Sequence, residues 1–171
     1  MIITQNLPVS AQLTGFSPAS RVWVYVSARA LTEAEATIAQ SQLQAFAQQW
    51  TAHNQALKAH AEVFNHQIAI LIVDETQAGA SGCSIDKSVH FLENLGAQFQ
   101  TDFFERMLFF YQDSDGNIQS ATRDAFAHLV QNGVIQAETL VLNNLVKNLE
   151  ELNTKWWVPF QDSWHKKFLK A

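Results

Sequence analysis

The sequence predicts an α/β chain, with α+β as the alternative: one mixed sheet of about five strands and three main helices, forming a single domain over residues 1–171. Three observations predict it. Arg21–Ser27 (RVWVYVS) and the end of residues 62–74 (EVFNHQIAILIVD) are apolar nearly throughout and rich in β-branched or aromatic side chains, the pattern of strands covered on both faces. Between and after them, apolar residues recur every three or four positions, as in amphipathic helices. The resulting order is strand, helix, strand, helix, then a hairpin and a third helix, which suits layered α/β packing.

Residues 1–20 are polar, and Pro8, Gly15 and Pro18 interrupt any period, so they read as a loop-like lead-in. After the Arg21 strand, Thr32 and Glu35 form a capping box. Ala39, Leu43, Phe46 and Trp50 then share one face of a helix that runs to near His53–Asn54. Residues 62–74 read as one strand, buried and central. If it neighbours the Arg21 strand, crossover logic makes the two parallel.

Ser84–Phe99 reads as the second helix, with Ile85, Val89, Leu92 and Leu95 or Gly96 on its inner stripe. Arg106–Gln112 is an aromatic strand, turned by Asp115-Gly116 into Ile118–Ser120. Thr122 caps a short helix that carries Ala125, Phe126, Leu129 and Val130 and stops at Gly133. Thr139–Val146 fits either a strand (TLVLNNLV) or a helix start with Leu142, Leu145, Leu149 and Leu152 in register. A strand followed by one or two helical turns is favoured. The segment from Trp156 to Ala171 is aromatic and basic, with three of the five tryptophans and Pro159. No linker, low-complexity tract or repeat divides the chain.

Composition bounds the function. At 171 residues, 47% apolar and only 16% charged, the chain is globular and lightly charged. A net charge of −5 and a pI near 5.6 argue against nonspecific binding to nucleic acid or anionic membrane, both of which need a basic face. Lys155, Lys166, Lys167 and Lys170 cluster near the end and read as a solvated tail. Met1–Ser10 has neither the basic nor the apolar region of a signal peptide. The longest apolar run, Ile68–Val73, is far short of a membrane span. A single cysteine, Cys83, excludes an internal disulfide and a multi-cysteine zinc site. The expected location is cytoplasmic.

The candidate site is the segment Asp74–Ser88, where the apolar strand ends in a loop of small residues that opens a helix. Ligands of open α/β sheets bind beyond the carboxyl ends of strands, where Asp74 and Glu75 stand. Gly79, Ser81 and Gly82 let a ligand approach the backbone closely. The helix start offers unpaired N–H groups and a positive dipole to an anion. Cys83 at that end is placed for a stabilised thiolate, a nucleophile or redox-sensitive thiol; the competing reading is a small buried hydrophobe. Capping accounts for part of the motif, with Ser84 as N-cap and Asp86 as first-turn acid.

Gly82, Lys87 and Ser88 fall in P-loop register, but Asp86 replaces the glycine before the lysine. Its carboxylate adds bulk and repulsion where the β-phosphate would sit, so nucleotide hydrolysis is rejected. Asp74 and Glu75 are adjacent and point to opposite faces, and His60 and His66 have no metal-ligand spacing, so no metal or cofactor is implied. His53, Asn144, Trp164 and His165 are further contributors that only the fold could bring to the site.

Several segments resemble those of a family of small Bacteroidota proteins of no assigned activity, often labelled "ABC transporter ATPase". They are Gln49-Trp50-Thr51-Ala52-His53, Val73-Asp74-Glu75, Ala80-Ser81-Gly82-Cys83-Ser84-Ile85-Asp86 with Ser88-Val89, Asn143-Asn144-Leu145-Val146 and Ser163-Trp164-His165. The resemblance covers nearly the whole chain, and the SGCSID stretch is its most specific part. It implies no catalytic residue. The residues do not support the label, since the chain has no Walker A loop, no LSGGQ-like signature and too little length. Three function classes follow: a binding or regulatory module with a small-ligand or anion site at residues 74–88, a Cys83-dependent enzyme, and a structural protein that forms homo-oligomers. The first is preferred because no base is identified for the second; its partner is an unspecified small molecule or protein.

Overall fold

A computed structural model describes residues 6–8, 10 and 13–169; the rest of the lead-in, Lys170 and Ala171 lie outside them. The first strand, β1 (Arg21–Val26), precedes α1 (Glu33–Gln49), capped by Thr32 and Glu35 in the expected capping box. Helix α1 ends four residues earlier than its pattern suggested. Trp50 turns extended, and Thr51–Ala52 (β2) and Gln55–Ala56 (β3) form a miniature hairpin around His53 and Asn54, both at positive φ. Two successive left-handed residues are the mark of a tight hairpin turn.

The segment read as one strand from residue 62 is itself a hairpin. Strand β4 (Lys58–Phe64) turns through Asn65 and His66, again at positive φ, into β5 (Ile68–Asp74). That turn overrules the parallel expectation. Because β4 precedes β5 and pairs with one of its edges, β5 takes β1 on the other, with Arg21 opposite Val73 and Val26 opposite Ile68, antiparallel. All seven residues of β5 are buried, as an apolar run without alternation requires.

Beyond α2 (Gly82–Gln98), the chain builds a second sheet from β6 (Leu108–Gln112) and β7 (Ile118–Thr122), joined at Gly116 as expected, with β8 (Leu140–Leu142) and β9 (Trp157–Pro159). Its order is β7-β6-β8-β9, antiparallel throughout. One mixed sheet is therefore replaced by two antiparallel ones beside the small hairpin, the α+β form of the predicted class. Helix α3 (Arg123–Gln131) starts at Thr122 and is followed by Gly133 at φ 72°. Strand β8 is followed by a short helix, α4 (Leu149–Lys155), so the favoured reading of 139–153 holds. Two 3₁₀ turns, Phe160–Asp162 and Trp164–Phe168, end the described chain.

Three apolar clusters give the layering. Ala69, Leu71 and Val73 of β5 pack under α1 and α2. Ile68, Ile70 and Ile72, on the opposite face, meet Phe110, Leu142, Leu152 and Trp156 between the two sheets. Phe109 and Val141, on the far face of the second sheet, pack with Phe126 of α3. Among the described residues, no helix is long and apolar enough to cross a membrane.

Candidate functional site

The Asp74–Ser88 segment divides into inward and outward residues. Asp74 is 3% exposed and holds the chain together. Its Oδ2 accepts the Ser17 N–H (3.0 Å), its Oδ1 accepts the Thr76 N–H (3.0 Å), and Lys58 Nζ lies 3.5 Å away. The backbone N–H of Ser17, the Thr76 hydroxyl and N–H, and then Lys58 hold this carboxyl down to about 2. Glu75 is exposed; its Oε1 accepts the Ala80 N–H (3.0 Å) and bends the loop at Gly79 back on itself.

Helix α2 begins two residues earlier than its pattern suggested. Ser81, not Ser84, is the N-cap: Ser84 N–H donates to Ser81 Oγ (3.2 Å), and Ser81 N–H donates to Ser84 Oγ (2.7 Å). A serine three residues after the cap plays the part usually taken by glutamate or glutamine. The inner stripe departs from the expected one only in the first half of the helix. Ser84 and Ser88 face inward with Leu92 and Leu95, whereas Ile85 and Val89 are only half-buried. Ser84 is kept inside by its main-chain oxygen, which accepts the Trp50 indole N–H (2.8 Å). Ser88 sits beside the Tyr25 phenol, which burial pushes up against the opposing effect of that serine's hydroxyl.

Cys83 lies in the first turn and is exposed, so the buried-hydrophobe reading is set aside. Gly82, Asp86 and Lys87 are exposed with it, and Asp86 stands one turn inside the helix rather than in its first turn. His90, seven residues on and so about 10 Å further along the axis, is held by Glu93 (3.0 Å). His53 is exposed at the tip of the β2–β3 hairpin. Gly82–Ser88 is continuous helix, and the Ser88 hydroxyl donates to the Ile85 carbonyl (2.6 Å), so these residues form no phosphate-cradling loop. Among the described residues, no group of three His, Cys, Asp or Glu side chains is placed to hold a metal ion.

A second place brings chemistry together. A cleft of about 510 Å³ opens along the outer edge of β1, within the size range of small-molecule sites. Its floor is Val24, Tyr25 and Val26, and its walls come from the 103–107 connection, the Asn144–Leu145 turn and the last 3₁₀ turn. Asn144 and Trp164, two of the sequence-singled residues, lie in these walls. Asn144 Oδ1 and Trp164 Nε1 are each shielded from water and, among the described residues, without a hydrogen-bond partner. His165 lies behind them, 1% exposed and stacked on Trp164 with ring centroids 4.0 Å apart.

The β1 edge explains the opening. Even-numbered residues turn their backbone outward: Val22 N–H donates to the Lys147 carbonyl (2.9 Å), Val26 C=O accepts the Glu105 N–H (3.0 Å), and Ala28 N–H donates to the Asp102 carbonyl (2.8 Å). Ser27, of odd number, donates the other way to Gln67, beside β5. By this alternation Val24 presents both its N–H and its C=O to the cleft, and among the described residues neither is paired there. Two exposed apolar side chains, Met107 (44%) and Leu145 (53%), line the same opening. Sequence reading missed these residues. The only local signal was the Phe103-Phe104-Glu105-Arg106-Met107 connection, apolar where a solvent-facing link should be polar.

Comparisons with known protein families, curated proteins and solved structures find no match to this chain.

Proposed function

We propose that the protein is a non-catalytic binding module that takes one small molecule into the cleft along β1. The unpaired Val24 backbone at the floor of an apolar cleft carries this reading: a concave apolar site with a few convergent polar groups is the usual form of a ligand pocket. The 74–88 loop is weaker support, because Asp74, Ser84 and Ser88 are consumed by the fold. A thiol enzyme built on Cys83 has exposure in its favour but lacks a neighbouring base. The continuous helix at Gly82–Ser88 supports the rejection of ATP hydrolysis there.

The test uses N-phenyl-1-naphthylamine, a neutral probe that fluoresces on leaving water. Saturable one-to-one binding is expected, lost in Met107→Trp, which fills the opening, and unchanged in Cys83→Ala. Circular dichroism and melting check that each variant is folded. Absence of binding overturns the reading, and loss of binding in Cys83→Ala but not in Met107→Trp returns the site to the helix start.

A further inference from the structure

Resting on that reading, we infer that the ligand is an apolar organic acid that carries an amide. The floor, the mouth and the walls of the cleft each specify one part.

The floor specifies the amide. Val24, half-buried, offers one donor and one acceptor side by side, and a ligand that covers them must supply partners, because a backbone group left unpaired once water is excluded is costly. An amide supplies the matching acceptor and donor. A peptide strand would match them too, since exposed edges invite strand addition. Here the edge is too short for one. Lys147 takes the Val22 N–H and Glu105 the Val26 C=O, so the opening is bounded at both ends: among the described residues only the Val22 C=O, the Val24 N–H and C=O and the Val26 N–H lack a backbone partner between them, and an added strand of ordinary length meets the chain on either side. A single amide fits where a run of them does not.

The mouth specifies the acid. Three charged residues line the cleft: Glu105, Arg106 and Lys167. Glu105 Oε1 accepts the Met107 N–H (2.7 Å) and keeps its charge, so the three together leave the lining with one net positive charge. Among the described residues, Arg106 and Lys167 have no carboxylate within ion-pair distance, in a chain whose net charge is −5. Lys167 Nζ stands 5.6 Å from the Trp164 ring centroid and 5.4 Å from that of Phe168, so its cation is held over the aromatic wall. Two cations without a carboxylate partner among the described residues, against one carboxylate, favour an anionic head. The walls specify the rest: Phe104, Met107, Leu145 and Trp164 suit a flat or aliphatic body.

The experiment titrates folded protein with N-(2-naphthoyl)glycine, its methyl ester, and the analogue whose amide nitrogen is replaced by an ester oxygen. Binding is read by calorimetry and by the amide resonance of Val24. The acid is expected to bind about tenfold tighter than its methyl ester, and the Arg106→Gln, Lys167→Gln double variant should erase that advantage. The ester-oxygen analogue should bind several-fold more weakly, because the Val24 carbonyl loses its donor. Equal affinity for acid and methyl ester overturns the acid, and an unmoved Val24 resonance overturns the amide. Either result with N-phenyl-1-naphthylamine still bound defeats this inference while leaving the cleft as the site. If none of the four compounds binds, the site itself is wrong.

Discussion

His165 should make the protein lose stability in mild acid, and the size of the loss follows from its surroundings. The imidazole is 1% exposed and faces aromatic rings: Trp164 at 4.0 Å, Phe109 at 4.8 Å and Phe126 at 5.8 Å between centroids. Its Nδ1 has no hydrogen-bond partner among the described residues. The charged groups nearest in the chain are Lys166 and Lys167, whose sign opposes protonation. Burial alone lowers its pKa from 6.5 to about 4. Between those values the unfolded chain binds a proton that the folded chain refuses, so stability rises with pH across the window. The contribution is present above pH 6.5 and is lost as pH falls towards 4. At 1.36 kcal/mol per unit, the loss from pH 7.5 to 4.5 is about 2.5 kcal/mol. Urea unfolding of wild type, His165→Phe and His165→Gln across that range isolates the effect, because all other titrations are shared. The wild-type curve should fall more steeply than either variant by that amount. Parallel curves would refute the argument, since they would mean that the folded state takes up the proton as readily as the unfolded chain.

Asp74→Asn should cost about 1–2 kcal/mol at pH 7, because the Ser17 and Thr76 N–H groups lose a charged acceptor. Since the folded carboxyl titrates near 2 rather than 3.8, the gap between wild type and variant in urea unfolding should narrow as pH falls through that interval. Gly96→Ala should also destabilise, although alanine is the better helix former by about 1 kcal/mol. The added Cβ would stand 2.6 Å from the Thr101 carbonyl oxygen, and that oxygen belongs to backbone that cannot step aside. Overpacking of this kind costs about 1–3 kcal/mol, so a net loss in thermal or urea denaturation is expected. A stabilised Gly96→Ala protein would mean that the 99–101 turn is free to move.

Most elements were legible because their signals are local. The Thr32 capping box, the Asp115-Gly116 turn and the Thr122 cap stand where their residue types require. The seven buried residues of β5 follow from an apolar run too continuous for one-sided burial. Strand direction was not legible, because it turns on a single feature. Asn65 and His66 adopt positive φ and fold the chain back, whereas Asn-His carries no glycine to announce a turn. The same holds at His53 and Asn54. Of the site segment, its position at the end of β5 and the start of α2 was correct, but not which side chains it offers. In the first turns of α2 the inward position falls to Ser84, tied to Ser81 and to the Trp50 indole thirty-four residues away in sequence. No helical period encodes such a contact.

That difference explains why the cleft escaped a reading by motifs. A motif gathers its chemistry within a few residues, as the SGCSID stretch does, and a well-capped helix produces the same residue types without any ligand. The cleft instead depends on an edge strand that is closed at both ends by distant segments, 102–105 and 147–148, and left open around Val24 between them. An edge that is fully open invites aggregation, and one that is fully paired offers nothing to a ligand. Holding β1 at the Val22 N–H and the Val26 C=O avoids the first and leaves a short opening centred on Val24. The aromatic segment at the end of the described chain, with Trp164 and Phe168, then supplies a wall that β1 could not provide for itself. The cleft is thus a consequence of how β1 and the last described segment meet.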